Sequence, residues 1–330
     1  MPDPIVSWLL EENNPSVRYF TLTSLLDRSP DDPQVRNTRK SIMEQGVVPK
    51  ILGMQNEDGS WGAPERFYTD KYRGTVWTIL LLAEMGADSV DSRIQRACEY
   101  ILEHSRNSES GGFAYTQSTK TGSGLASVVI PCLTGNMGYS LIKLGYVHDE
   151  RLQKAIEWIT RYQRADDGAK KAPEVSVYER FEMCWGRHSC QMGVAKALKA
   201  LAAIPPDLRK QENIEKMNEL TEYFLKHHLY RKSHNLGEIA RPGWLRLGFP
   251  LMYQTDILEL LKIFDDLKIR DPRLQDPLKI LKDKQRPDGT WKFESSNNGK
   301  MLVNIEKKGL PSKWITLKAR KVLRGVPPES

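Results

Sequence analysis

The sequence predicts an all-α protein built from repeated helical hairpins, and three observations carry that reading. An element Asp-x-Arg-Ile/Leu-Gln recurs as Asp91-Ser-Arg-Ile-Gln, Asp149-Glu-Arg-Leu-Gln and Asp271-Pro-Arg-Leu-Gln, with gaps of 58 and 122 residues. A second marker, Q-x3-G-x-W, keeps step with it at Gln55–Trp61 and Gln285–Trp291. Strand-like alternation is nearly absent; Val128–Ile130 is the best strand candidate, and it is short.

Weaker copies complete the register. Asn213-Ile-Glu-Lys fills the gap between the second and third copies of the first element, and Asp32-Pro-Gln-Val-Arg stands one period before the first. Gln163-Arg-Ala-Asp-Asp-Gly168 is a second marker without its Trp, and Gly111-Gly-Phe113 sits where another is due. The Asp of each first element is an N-cap candidate, because a short acidic side chain accepts bonds from the free amides of a first turn. The segments that follow space their apolar residues by three and four, as in Leu152, Ile156 and Ile159. Each pairs with a more apolar helix, expected at Val17–Leu26, Thr75–Met85, Thr134–Leu144, His188–Ala203, Tyr253–Leu267 and Ile315–Leu323. Gly86, Gly145 and Gly325 follow three of these runs, where a left-handed C-cap residue is expected.

A helix apolar nearly all round belongs inside and an amphipathic one outside. Alternation of the two gives a solenoid or a closed double ring. The number of repeats, the short connections and a last inner helix without an outer partner favour closure. No linker rich in Pro, Gly or Ser divides the chain, so residues 1–330 are expected to form one domain of about six hairpins.

Composition narrows the class. The 330 residues are 39% hydrophobic and 28% charged, which suits a folded core rather than a disordered chain. No apolar run reaches the ~18–20 residues that span a bilayer. The start Met1-Pro-Asp-Pro lacks a secretory pattern, and four cysteines are too few to staple this length, so a reduced, cytoplasmic protein is expected. A net charge of +7 is compatible with an anionic ligand or membrane surface and calls for no nucleic acid.

The Q-x3-G-x-W elements, falling after an outer helix and before an inner one, resemble the QW motif of the terpenoid cyclase and protein prenyltransferase β-subunit superfamily. The repeat length is similar too. The resemblance implies an α/α toroid, and this length resembles a single stand-alone barrel related to those of squalene cyclases. The motif itself identifies a fold: the Gln can bond backbone at a helix end, the Gly turns the chain, and the Trp packs on a neighbouring repeat.

In such a ring the inner helices run the same way, so their N-termini gather at one mouth, where unpaired amides favour anions. Candidates there are Tyr68, Lys71, Tyr72, Arg73, Cys132, Asn136, Cys184, Trp185, Arg187, His188, Cys190, Arg241, Trp244, Tyr253, Gln254, Asp256, Lys313 and Trp314. Cations and aromatics together suit a ligand with a charged head and a greasy body, such as an isoprenoid diphosphate or a squalene-like amphiphile. Arg73, Arg187, His188 and Lys313 are expected to hold the head, with Trp185, Tyr253 and Trp314 along the body and Tyr72, Asn136 and Gln254 beside it.

The resemblance also says which chemistry to seek. Class II cyclases protonate their substrate with the middle Asp of D-x-D-D, and class I enzymes bind magnesium with D-D-x-x-D; neither motif is present. The nearest positional match is Asp256, in Tyr253-Gln-Thr-Asp256, an acid whose burial would raise its pKa. Prenyltransferase β-subunits hold zinc with Asp, Cys and His near inner-helix starts. Here Cys184-Trp-Gly-Arg-His188-Ser-Cys190, with Cys132 one repeat earlier, offers thiolates and an imidazole for zinc, although not in that order. The expectations are therefore an isoprenoid-binding and cyclising or transferring protein, a non-catalytic ligand-binding or scaffold toroid, or a zinc-dependent transferase. A basic run from Lys307 to Arg324 without acids suggests peripheral membrane contact.

Overall fold

A computed structural model describes residues 3–167, 178, 184, 189–232 and 235–326. The chain folds as an α/α toroid. Its helices in order are α1 (Pro4–Leu9), α2 (Pro15–Phe20, continued by the π-helical turn Thr21–Leu25), α3 (Pro33–Glu44), α4 (Val47–Leu52), α5 (Thr75–Glu84), α6 (Ser92–His104) and α7 (Pro131–Lys143). There follow α8 (Glu150–Tyr162), α9 (Gln191–Ala203), α10 (Gln211–Lys226), α11 (Ile257–Asp266), α12 (Gln275–Asp283) and α13 (Lys313–Arg324). A small hairpin, β1 (Arg231–Lys232) and β2 (Asn235–Ile239), sits between α10 and α11. The sequence did not announce it. The expected strand at Val128–Ile130 is instead a 3-10 turn, Ala126–Val128, followed by one isolated bridge from Val129 to Ala114.

The inner ring is α2, α5, α7, α9, α11 and α13. α5 is buried at every residue, as an internal helix must be, whereas α6 and α8 bury one face. α7 lies between α5 and α9, α9 touches α11, α11 touches α13, and α13 packs on α2 and its π-turn. Phe20 of α2 reaches Gly86 just past α5, which completes the circle. α7 and α9 approach most closely: a Cβ on Gly135 would stand 2.4 Å from the carbonyl carbon of Lys196, so only glycine fits there. The chain's two ends meet at α13. Lys313 Nζ binds Glu11 Oε2 (2.8 Å) and Asn13 Oδ1 (2.9 Å), Arg320 pairs with Asp3, and Arg324 pairs with Asp27.

The repeat markers are joints. Asp91, Asp149 and Asp271 each cap a first turn through the amide two residues on, and each also binds the side chain of that same residue, Arg93, Arg151 or Arg273. Arg151 and Arg273 then reach back to a glutamate of the preceding outer helix, Glu99 and Glu222. Asp32 caps α3 in the same way. The weak copy differs: Asn213 lies at the third position of α10 and accepts from the Lys210 amide.

The indole Nε1 of Trp61 donates to Ile51 O and that of Trp291 to Leu281 O, both at 2.8 Å. The backbone amides of Trp61, Phe113 and Trp291 donate to the hydroxyls of Thr75, Thr134 and Thr316 on the next inner helix. Gln55 Nε2 binds Gly59 O and, at 2.8 Å, Arg93 O. Gly59 itself has φ +90° and leaves no room for a Cβ against Arg96 O. Gly86 and Gly145 take the expected positive φ, but Gly325 does not: its φ is −78°, so α13 ends without a left-handed cap.

Candidate functional site

The C-terminal ends of α2, α5, α7 and α9 and one face along most of α11 and α13 converge on a cavity of about 330 Å³ in the lumen. Five lysines line it: Lys143 of α7, Lys199 of α9, Lys262 of α11, and Lys318 and Lys321 of α13. Three acids, Glu84, Glu259 and Asp266, and three aromatics, Phe20, Tyr139 and Trp314, share the wall. Cations belong at this end, because the inner helix dipoles point their negative ends there.

The floor is a buried charge network. Lys199 bridges Glu84 (2.5 Å) and Glu259 (2.9 Å), Lys196 binds Glu259 (2.7 Å), and Lys318 binds Glu84 (3.1 Å). Burial works against both glutamates, but the lysine charges overcome it. Glu259 is held at about 2, and Glu84 well below the usual carboxylate range. Both are therefore ionised counter-charges and not proton donors. Burial pulls Lys196 down, while Glu259 and Glu84 outweigh burial at Lys199 and push it well up. Lys199 Nζ also lies 4.1 Å from the Tyr139 ring centre, and Lys318 Nζ lies 4.5 Å from that of Phe249. Phe249 stacks on Trp314 with ring centres 4.1 Å apart.

Above the floor, Lys262 and Lys321 share Asp266. Lys143 has no carboxylate within ion-pair distance among the described residues. Part of its length is exposed, yet the packing around its amine and the neighbouring Lys262 charge lower its pKa. The Trp314 indole Nε1 is buried without a partner among the described residues. The site thus offers one amine without a direct ion pair among the described residues, and an aromatic wall, over a neutralised base.

The sequence placed the site at the other mouth, and the structure spends most of those residues differently. Three inner helices, α5, α7 and α9, start without a side-chain cap, and the other three are capped. Asp256 caps α11 through the Glu259 amide (2.8 Å), Ser312 caps α13 through the Ile315 amide, and Glu306 accepts from the Lys313 amide. Lys313 is the closure clamp, packed over Trp8. Arg73 is exposed and reaches only Gly299 O. Asn136 is buried and donates to Met252 O. Tyr72 accepts from Gln254 Nε2 (3.2 Å), and Tyr68, Tyr72, Trp77 and Tyr253 form an aromatic plug under the ammonium of Lys71. Among the described candidates Trp314 alone lines the lumen cavity. Trp185, Arg187 and His188 lie outside the described residues.

Asp256 is buried away from that cavity, its second oxygen accepting from the Gly248 amide (2.9 Å). Burial pushes its pKa up to about 7, against the two backbone bonds that lower it. Cys132, Cys184 and Cys190 do come together. A hydrogen bond from Cys184 lowers the pKa of Cys190, and burial raises Cys132 to about 12. Yet among the described residues no three His, Cys, Asp or Glu side chains are placed to hold a metal ion, and His188 is not among them. The basic run is mostly neutralised, with Lys313, Lys318, Arg320, Lys321 and Arg324 all ion-paired within the ring. Among the described residues no helix is long and apolar enough to cross a membrane.

Sequence reasoning missed Lys143, Lys196, Lys199, Glu84 and Glu259. Their signal was present: charged residues inside otherwise apolar helices, such as Val194-Ala-Lys196-Ala-Leu-Lys199-Ala-Leu201.

No protein-family model matches the chain, and no curated protein matches it. Among solved structures the chain is similar to an unsaturated glucuronyl hydrolase specific for heparin, at 10% identity over 95% of this chain and 85% of that one, with a TM-score of 0.51. It is also similar to a type II terpene cyclase from Scytonema in complex with geranylgeranyl dihydroxybenzoate, at 14% identity over 98% of both chains and a TM-score of 0.42. A family 76 glycoside hydrolase from a bovine Bacteroides thetaiotaomicron strain matches at 12% identity over 95% of this chain and 67% of that one, with a TM-score of 0.46. At such identities the likeness is one of fold.

Proposed function

We propose that the lumen binds a small amphiphile with an anionic head, of which an isoprenoid phosphate is the type suggested by the QW-like repeats. The observation that carries this reading is the lining of the cavity: Lys143, without an ion pair among the described residues, beside Lys262 and Lys321, which share a single carboxylate, facing Phe20, Tyr139 and Trp314. The head meets the ammonium groups near the open end, and the apolar body lies along the rings. Glu84 and Glu259 keep the floor dry of unpaired charge and take no proton part. Asp256, raised to about 7 by burial, lies away from this cavity and takes no part in the binding proposed here.

The test is native mass spectrometry of the purified protein followed by lipid extraction, with calorimetric titration of geranylgeranyl diphosphate against geranylgeraniol. The diphosphate is expected to bind more tightly, and Lys143→Ala with Lys262→Ala to weaken it by on the order of tenfold or more. Equal affinity for the neutral alcohol would remove the anionic head from the reading.

A further inference from the structure

A second, smaller cavity of about 200 Å³ lies at the opposite mouth, between the segment 241–255, Met192 of α9, and Ser295 and Asn297. Two guanidinium side chains, Arg241 and Arg246, belong to its wall, and no carboxylate does. Both are exposed, and neither has an ion pair or side-chain hydrogen bond among the described residues. The contrast with the repeat arginines is sharp: Arg93, Arg151 and Arg273 each close on an acid.

Two residues of the same wall carry buried polar atoms with no partner among the described residues, the Trp244 indole Nε1 (residue 1% exposed) and the Thr255 hydroxyl (residue 5% exposed). An indole N–H can only donate, and a threonine hydroxyl can. Leaving such groups unpaired inside a protein is costly, so each calls for an explanation. The segment that bears them is held in place: Trp244 packs on Phe224, and residues 242–245 form a 3-10 turn.

We infer that this cavity is an oxyanion site, distinct from the lumen cavity and shaped for a phosphate, a phosphate ester or a sulfate. The anion supplies the charge that Arg241 and Arg246 lack, and it lies beside the unpartnered groups of Trp244 and Thr255, which sit just behind the cavity surface. Arginine forks match the paired oxygens of such groups, and partial burial of the wall strengthens the bonds. The volume corresponds to several water molecules at about 30 Å³ each, enough for a tetrahedral oxyanion and part of what it is attached to.

The experiment follows the indole N–H resonances of the eight tryptophans by NMR while inorganic phosphate, sulfate, phenyl phosphate or acetate is added to the full chain. One indole signal, absent from Trp244→Phe, is expected to shift with phosphate, saturating below about 10 mM. Preference for phenyl phosphate over inorganic phosphate identifies an ester as the ligand; equal binding identifies the free anion. Arg241→Ala with Arg246→Ala is expected to weaken binding by on the order of tenfold or more without loss of helical circular dichroism. Thr255→Val is expected to weaken it less, and Lys143→Ala to leave it unchanged. No saturable shift, an equal shift with acetate, or a shift undiminished in the double arginine variant would each overturn the inference.

Discussion

Lys313 Nζ lies 2.8 Å from Glu11 Oε2, which ties the first turn of the last inner helix to a residue 302 positions earlier. The lysine is buried and the glutamate half exposed, so the pair is screened on one side. Lys313→Met is expected to lower stability by about 1 kcal/mol, measured as a shift of the urea midpoint with unchanged slope. The Lys313 contact holds Glu11 below its ordinary pKa, so its contribution is full above the unfolded carboxylate range and fades as pH falls. A midpoint shift that persists undiminished at pH 3 would contradict this.

The floor network responds more strongly. Glu259→Gln leaves the buried Lys196 ammonium without a carboxylate, and removal of one partner of a buried pair costs about 3–5 kcal/mol. Lys196→Met together with Glu259→Met is expected to recover much of that loss. Glu259 is depressed to about 2, so its stabilisation is complete above roughly pH 4.3 and is lost as pH falls through about 2. Acid unfolding of the native chain should therefore be steepest in that window, and that of the double variant flatter. A double variant no more stable than Glu259→Gln would show that the charges are favourable in their own right.

Asp256 has the opposite sign. Its pKa is raised to about 7, so its contribution is full below the unfolded value of about 3.9 and is lost as pH rises through about 7. Asp256→Asn keeps the cap on Glu259 and loses an acceptor for the Gly248 amide. The variant is expected to be less stable than the native chain at pH 5 and to close the gap by pH 8. Urea midpoints at the two pH values decide it; parallel midpoints would mean that Asp256 does not titrate there.

The threonine joints can be tested one at a time. Thr316→Val leaves the buried Trp291 amide without its acceptor, at a cost of about 1–3 kcal/mol. Thr75→Val does the same to Trp61, and Thr134→Val to Phe113. Equal losses in thermal unfolding are expected at all three, because the bond is the same. A loss at only one would show that the repeats are not equivalent joints.

The joints were legible in the sequence because they are local. An N-cap, a turn glycine and a tryptophan at fixed spacing each act within one hairpin, so periodicity finds them. The alternation of apolar and amphipathic runs also identified the inner ring, although Asp256 and Ser312 set the true helix starts by capping. The lumen was not legible. Its location depends on which end of the ring the side chains fill, and the aromatic plug of Tyr68, Tyr72, Trp77 and Tyr253 forms from segments nearly two hundred residues apart. Lysines at the far ends of apolar helices read as interruptions until Glu84 and Glu259 are seen opposite them.

The meeting of α13 with the N-terminal helices also limits how the molecule can change size. In an open stack an added hairpin extends one end and leaves the others as they were. Here a duplicated or deleted hairpin would alter the circumference, and with it every crossing angle and the width of the hollow. Lineages of this chain should therefore vary in their loops far more readily than in their number of hairpins.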